Sequence, residues 1–178
     1  MTITRTMIEL MAHQDQRLMR RIQRWRPPRW VRVWMLFATR AGNGWMWYAW
    51  GLAVLTFGDS NRFIAILSSA FSVAVGAAVF LALKQRIGRK RPCELGRVCW
   101  VSLLPPDRFS FPSGHTITAF AVVTPLIYFY PSLIVVLLFC ALSVAASRIV
   151  LGMHFLSDVL AGCAIGCGLG YISLLTFS

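Results

Sequence analysis

Between residues 45 and 177 the chain is built from five apolar blocks, at 45–57, 63–83, 117–130, 133–150 and 155–177, interrupted only by Arg148 and Asp158. A crossing of a bilayer needs about 20 apolar residues. The second and fifth blocks reach that length alone, and the others reach it with their polar ends. In lipid every backbone N–H and C=O must be satisfied within the protein, by helices or closed barrels, and unbroken apolar blocks without alternation suit helices. With 57% hydrophobic and 13% charged residues, the chain of 178 residues holds more apolar sequence than one soluble core absorbs. The expected fold is therefore an all-α, polytopic transmembrane helix bundle with five spans. A sixth span from residues 28–44 is the alternative, and Arg32 and Arg40 make it a poor one.

Residues 1–44 form a different kind of segment. No apolar run follows the first arginines, so the segment is expected to be part of the mature protein and not a secretory signal. Residues 7–37 mix Met, Leu, Ile and Trp with seven arginines and are broken at Pro27-Pro28. That pattern predicts amphipathic interfacial helices, with Trp25, Trp30 and Trp34 at headgroup depth. Two parts follow: 1–44, a basic interfacial segment, and 45–178, the membrane domain.

The net charge is +12. In a soluble protein that balance would point to nucleic acid, but arginines flanking spans meet anionic headgroups, so the expected partner is the bilayer and not nucleic acid. The six carboxylates, Glu9, Asp15, Asp59, Glu94, Asp107 and Asp158, are too scattered for a magnesium cage, and the five cysteines lack zinc-ligand spacing. No metal and no cofactor is implied. Cys93 and Cys99 share a polar loop and could pair only where that loop meets an oxidising compartment. The small residues of the last block (Gly162, Cys163, Gly166, Cys167, Gly168, Gly170) suit close helix packing, within the chain by default.

With five spans, the loop after the second, the loop after the fourth and the N-terminal segment share one face. Lys84, Arg86, Arg89, Lys90, Arg91, Ser113, His115, Arg148, His154 and Asp158 all fall there, whereas the other face carries Asp59 and Arg62 and little else. Ionisable residues at span ends are costly, and their convergence points to a site. Three stretches compose it. "KQRIGRKRP" (84–92), taken alone, is a juxtamembrane basic cluster. "PSGH" (112–115), taken alone, is a helix start, although free N–H groups at a helix start also bind phosphate. In "SRIVLGMHFLSD" (147–158), His154 and Asp158 are four apart and stack on one helix face. A carboxylate there can accept a hydrogen bond from one imidazole nitrogen and leave the other free as nucleophile or base.

Together the three resemble the type 2 phosphatidic acid phosphatase superfamily. The pattern Lys, six residues, Arg-Pro; Pro-Ser-Gly-His; Ser-Arg, five residues, His, three residues, Asp is matched at Lys84, Arg91, Pro92, Pro112, Ser113, Gly114, His115, Ser147, Arg148, His154 and Asp158. The resemblance spans residues 63 to about 170; the first 44 residues carry none of it. It implies a catalytic set of His154, the nucleophile that becomes phosphohistidine, His115, the acid and then the base, and Asp158, which orients the His154 ring. It implies a phosphate-binding set of Lys84, Arg91, Ser113, Gly114 and Arg148. It also implies metal-independent hydrolysis of a phosphomonoester or diphosphate on a membrane lipid: phosphatidic acid, phosphatidylglycerophosphate, a polyprenyl phosphate or diphosphate, or a lipid A phosphate. The alternative is an anion-binding transporter or structural membrane protein, for which cations suffice and neither histidine is needed. The expected location is the bacterial inner membrane as a multi-pass protein. Its sidedness has two readings. Nine of 18 Lys and Arg lie in residues 1–44 and seven in 84–115, which the positive-inside rule puts in the cytoplasm, whereas the superfamily's bacterial enzymes usually turn the site away from it. Oligomeric state is not readable from the chain.

Overall fold

The structure is a computed structural model that describes residues 2–25, 27–92 and 109–177, with the side chains of 2–11 and Gln23 left out. Cys93 and Cys99, and with them the disulfide expectation, lie outside the described residues. Among those described there are seven α-helices: α1 (Thr2–Arg24), α2 (Arg29–Ala41), α3 (Trp45–Phe57), α4 (Arg62–Ile87), α5 (Gly114–Phe129), α6 (Ile134–Val150) and α7 (Leu156–Phe177). The break between α1 and α2 falls at Pro27-Pro28, where each ring lacks the N–H a continuing helix needs. No strand occurs among the described residues.

Among the described residues three helices are long and apolar enough to cross a membrane: Arg62–Ile87, Leu156–Phe177, and α6 with the short 3-10 turn that opens it, Pro131–Val150. α5 is apolar but has 16 residues, and α3 has 13. At 1.5 Å per residue these two rise roughly 24 and 20 Å, short of a hydrocarbon core of about 30 Å. The outward surface is apolar, with Tyr48 81%, Phe57 90% and Val135 79% exposed, as expected where the solvent is lipid.

α5 is the central helix, packed against α4, α6 and α7, with Ala119, Ala121, Val123 and Leu126 almost wholly enclosed. Its contact with α7 is set by glycine. A Cβ at Gly162 would come 2.8 Å from the Ser113 carbonyl oxygen, one at Gly166 2.6 Å from that of Ile117, and one at Gly170 2.6 Å from Thr124 Cβ. Three glycines four residues apart make one stripe on α7, and without side chains there the two backbones touch. Gly168 is off that stripe and has nothing within 4 Å. The expected use of the small residues within the chain is thus realised by three of the glycines. Interhelical hydrogen bonds from Ser69 Oγ to the Val122 carbonyl (3.3 Å) and from Ser72 Oγ to the Leu169 carbonyl (3.3 Å) tie α4 to α5 and α7. This packing brings the start of α5 beside the start of α7, where the Ser113 N–H donates to the Asp158 carbonyl at 3.0 Å.

Candidate active site

Each motif reaches the site through a local turn. α4 ends at Gly88, whose φ of 61° is the left-handed conformation that glycine adopts freely, and its N–H returns to the Lys84 carbonyl. The chain that follows carries Arg89 and Arg91 to the start of α7. α6 ends similarly: Gly152, with φ 74°, turns the chain so that the N–H groups of Met153 and His154 both donate to the Arg148 carbonyl at 3.0 Å. Five residues between Arg148 and His154 are therefore the length of a helix-ending turn. At the start of α7, the Asp158 carboxylate reaches back to the Phe155 N–H (2.8 Å), the arrangement by which a carboxylate in the first helical turn satisfies an orphan donor.

Lys84, Arg91, Ser113, Arg148, His154 and Asp158 are all buried, between 0% and 6% exposed. Arg91 Nη1 donates to the Met153 carbonyl at 3.0 Å and lies 3.3 Å from His154 Nε2. Arg148 Nη1 donates to Thr39 Oγ1 at 2.5 Å. The Lys84 ammonium sits 4.3 Å from the centre of the Phe80 ring, a cation–π contact. The same ring would be 3.0 Å from a Cβ at Gly114, so a side chain there would have to push the ring aside. Ser113 occupies the N-cap position of α5, yet its hydroxyl makes no capping bond and instead pairs with the Thr116 hydroxyl at 2.9 Å. His115 is half-buried and its Nε2 donates to Asn43 Oδ1 at 2.7 Å.

The His154 ring differs from the sequence expectation. Its Nδ1–H donates to the Ser110 carbonyl at 2.6 Å, while Asp158 Oδ2 is 3.8 Å away, beyond hydrogen-bond reach. The carboxylate is drawn off by the Phe155 N–H on one oxygen and by Arg89 Nη1 (2.7 Å) on the other. The tautomer is thus set by a backbone carbonyl, and Nε2 is left with its lone pair, facing Arg91. Burial, then the Arg148 and Arg91 guanidiniums, hold the imidazole well below its usual pKa, against the raising effect of the Ser110 hydrogen bond. His154 is therefore neutral near pH 7.

Sequence reasoning missed five residues here: Asp15, Thr39, Asn43, Arg89 as a partner of Asp158, and Ser110. Ser110 had one available signal, its place two residues before the Pro-Ser-Gly-His motif. The first three lie in the segment without motif, and nothing in their local sequence distinguishes them. Among the described residues no group of three or more His, Cys, Asp or Glu gathers to hold a metal ion.

Residues 65–178 match the PAP2 superfamily. Over 98 residues, 53% of this chain and 41% of the relative, the sequence is 37% identical to a lipid A 1-phosphatase of Rhizobium etli. Over 112 residues, 61% of this chain and 46% of the relative, it is 30% identical to a lipid A 1-phosphatase of Rhizobium johnstonii. The chain thus spans less than half the length of these curated relatives. The fold is similar to the crystal structure of Aquifex aeolicus LpxE, with TM-score 0.75, 28% identity and coverage of 89% of this chain and 93% of that one. It is also similar in fold to a transmembrane PAP2-type phosphatidylglycerolphosphate phosphatase from Bacillus subtilis, with TM-score 0.70, 23% identity and coverage of 93% and 85%. The motif residues, their convergence at the helix ends and the match over residues 65–178 lead to one conclusion: the chain belongs to the PAP2 superfamily.

Proposed function

We propose that the protein is a membrane-embedded lipid phosphatase that removes the 1-phosphate of a lipid A-type glycolipid through a phosphohistidine on His154. The observation that carries this reading is a buried imidazole whose Nδ1 lies 2.6 Å from the Ser110 carbonyl, so that its proton is committed there, and whose Nε2 lies 3.3 Å from Arg91. In the proposed reaction the Nε2 lone pair attacks phosphorus in line, and the bond from phosphorus to the lipid oxygen breaks. His115 gives that oxygen a proton. Water then attacks the phosphohistidine while His115 takes its proton, inorganic phosphate leaves and His154 is regenerated. Lys84, Arg91 and Arg148 offset the charge of the non-bridging oxygens, assisted by the Ser113 hydroxyl and the Gly114 N–H at the start of α5. Three cations around one phosphoryl group supply the charge stabilisation for which other phosphatases recruit a metal, so turnover is expected to survive chelators.

A lipid substrate is supported by the space beside His115. A cavity of about 370 Å³ bounded by Asn43, Phe80, Gly114 and His115 shares Gly44 and Thr118 with an apolar groove of about 550 Å³ between α3, α4 and α5. Trp47, Leu55, Val73 and Val122 line the groove, an apolar surface that suits an acyl chain whose headgroup lies towards His115. The choice of lipid A among the lipid phosphates rests on the two Rhizobium relatives. The test is phosphate release by the purified full chain in detergent. Lipid A carrying a 1-phosphate is expected to turn over at least about tenfold faster than phosphatidic acid or phosphatidylglycerophosphate, a margin of about 1.4 kcal/mol. Equal rates on all three would remove the lipid A assignment, and no release from any would remove the phosphatase reading in favour of a non-catalytic anion site.

A further inference from the structure

The N-terminal helix α1 is joined to the site by a chain of charges that the proposed mechanism does not use. Asp15 is 7% exposed, and Met19, one turn further along α1, is 1% exposed, so this part of the helix is docked. Asp15 Oδ1 accepts the Ser157 N–H at 3.1 Å, and Oδ2 accepts both the Ser157 hydroxyl and Arg89 Nη2, the latter at 2.7 Å. Arg89 Nη1 donates to Asp158 Oδ1 and to Ser157 Oγ, each at 2.7 Å, with its guanidinium 4.2 Å from the centre of the Phe155 ring. Asp158 is fully buried and lies beside His154.

A buried carboxylate without a partner is costly, and Arg89, beside the Phe155 N–H, is the cationic partner that offsets the burial of Asp158 at 0% exposure. Arg89 alone, however, would cancel the charge of Asp158. The second carboxylate restores the balance: Asp15, Arg89 and Asp158 together carry one net negative charge. When His154 Nε2 bonds to phosphorus while Nδ1 keeps its proton, the ring becomes cationic, and that net negative charge is favourable to it.

We infer that Asp15 and Arg89 are positioning residues, a carboxylate–guanidinium–carboxylate clamp through which the N-terminal helix holds Asp158 in place and in charge beside His154. The inference rests on the function proposed above. Asp15→Asn keeps the shape and removes the charge. In the full chain it is expected to lower kcat for a short-chain lipid phosphate by about 10- to 100-fold, the loss that a displaced reacting geometry brings, with KM within about twofold. Asp15→Glu should recover most of the rate. Asp15→Asn should cost nothing further once Asp158→Asn is present, because the two act through one partner. An unchanged kcat in Asp15→Asn, or single losses that multiply in the double variant, overturns the clamp. If the parent chain releases no phosphate, that counts against the proposed function, and the clamp is read instead from the histidine ring signals of full chain labelled with 15N. Asp15→Asn should then move the His154 ring shifts and leave those of His115 in place; unmoved His154 signals overturn it.

Discussion

At the scale of residues, the eleven motif positions could be read because their spacing follows local geometry. Gly152 sits within one helix-ending turn between Arg148 and His154, and Asp158 reaches back over a single helical turn to the Phe155 N–H. Partners that come from elsewhere in the chain left no such trace. Thr39 on Arg148, Asn43 on His115 and Asp15 on Arg89 are contacts across 109, 72 and 74 positions, which no local pattern encodes. The Ser110 carbonyl escaped for another reason: a backbone acceptor has no residue type to recognise. The environment of His154 carries a prediction with a definite sign. Its pKa lies below that of the unfolded chain, so on acidification through the ordinary histidine range the unfolded state gains a proton that the folded state does not. Stability is therefore lost as pH falls through that window, by up to about 1.4 kcal/mol per pH unit, and the loss levels off below the folded value. His154→Gln removes this contribution. Denaturant unfolding in detergent at pH 7.5 and 5 should give a smaller drop for the variant than for the parent, and equal drops would contradict the assignment of a neutral buried imidazole.

At the scale of elements, the apolar blocks foretold the helices closely. The blocks at 45–57 and 155–177 became Trp45–Phe57 and Leu156–Phe177, and Pro27-Pro28 separated two helices as the chemistry of proline requires. The pairing of α5 with α7 was less legible, since a run of small residues does not reveal which of them face a neighbour. The stripe of Gly162, Gly166 and Gly170 supplies that answer and aligns the start of α5 with the start of α7, so it also shapes the site. Gly166→Ala would drive a methyl against the Ile117 carbonyl oxygen and is expected to destabilise the protein by about 1–3 kcal/mol, as overpacking does. Gly168→Ala meets nothing and should be neutral or stabilising by up to about 1 kcal/mol, the difference in helix propensity. Unfolding midpoints of the two variants check the contrast, and equal effects would deny the stripe its role. Gly51 offers a second test. It borders the apolar groove with open space at its Cβ, so Gly51→Phe should raise KM for a long-chain lipid phosphate several-fold while leaving a short-chain analogue little changed.

At the scale of the whole molecule, the division at residue 44 marks a change of composition and motif, and contacts cross it. Residues 1–44 supply Asp15, Thr39 and Asn43 to partners in residues 45–178. Span parity leads to the expectation that the loops after the second and fourth blocks meet on one face; in the structure Arg89 and Arg91, which follow α4, donate to Asp158 and to the Met153 carbonyl, and the Ser113 N–H donates to the Asp158 carbonyl. The central claim is that His154 is the group that takes the phosphoryl from a lipid. Rapid-quench mixing of the full chain with lipid A labelled with 32P at its 1-phosphate tests it directly. The account predicts transient label on the protein, stable in base and lost in acid as a phosphoramidate is, mapping to His154 and absent from His154→Ala together with phosphate release. Steady release with the label on another residue, or release by His154→Ala at the parent rate, would contradict it.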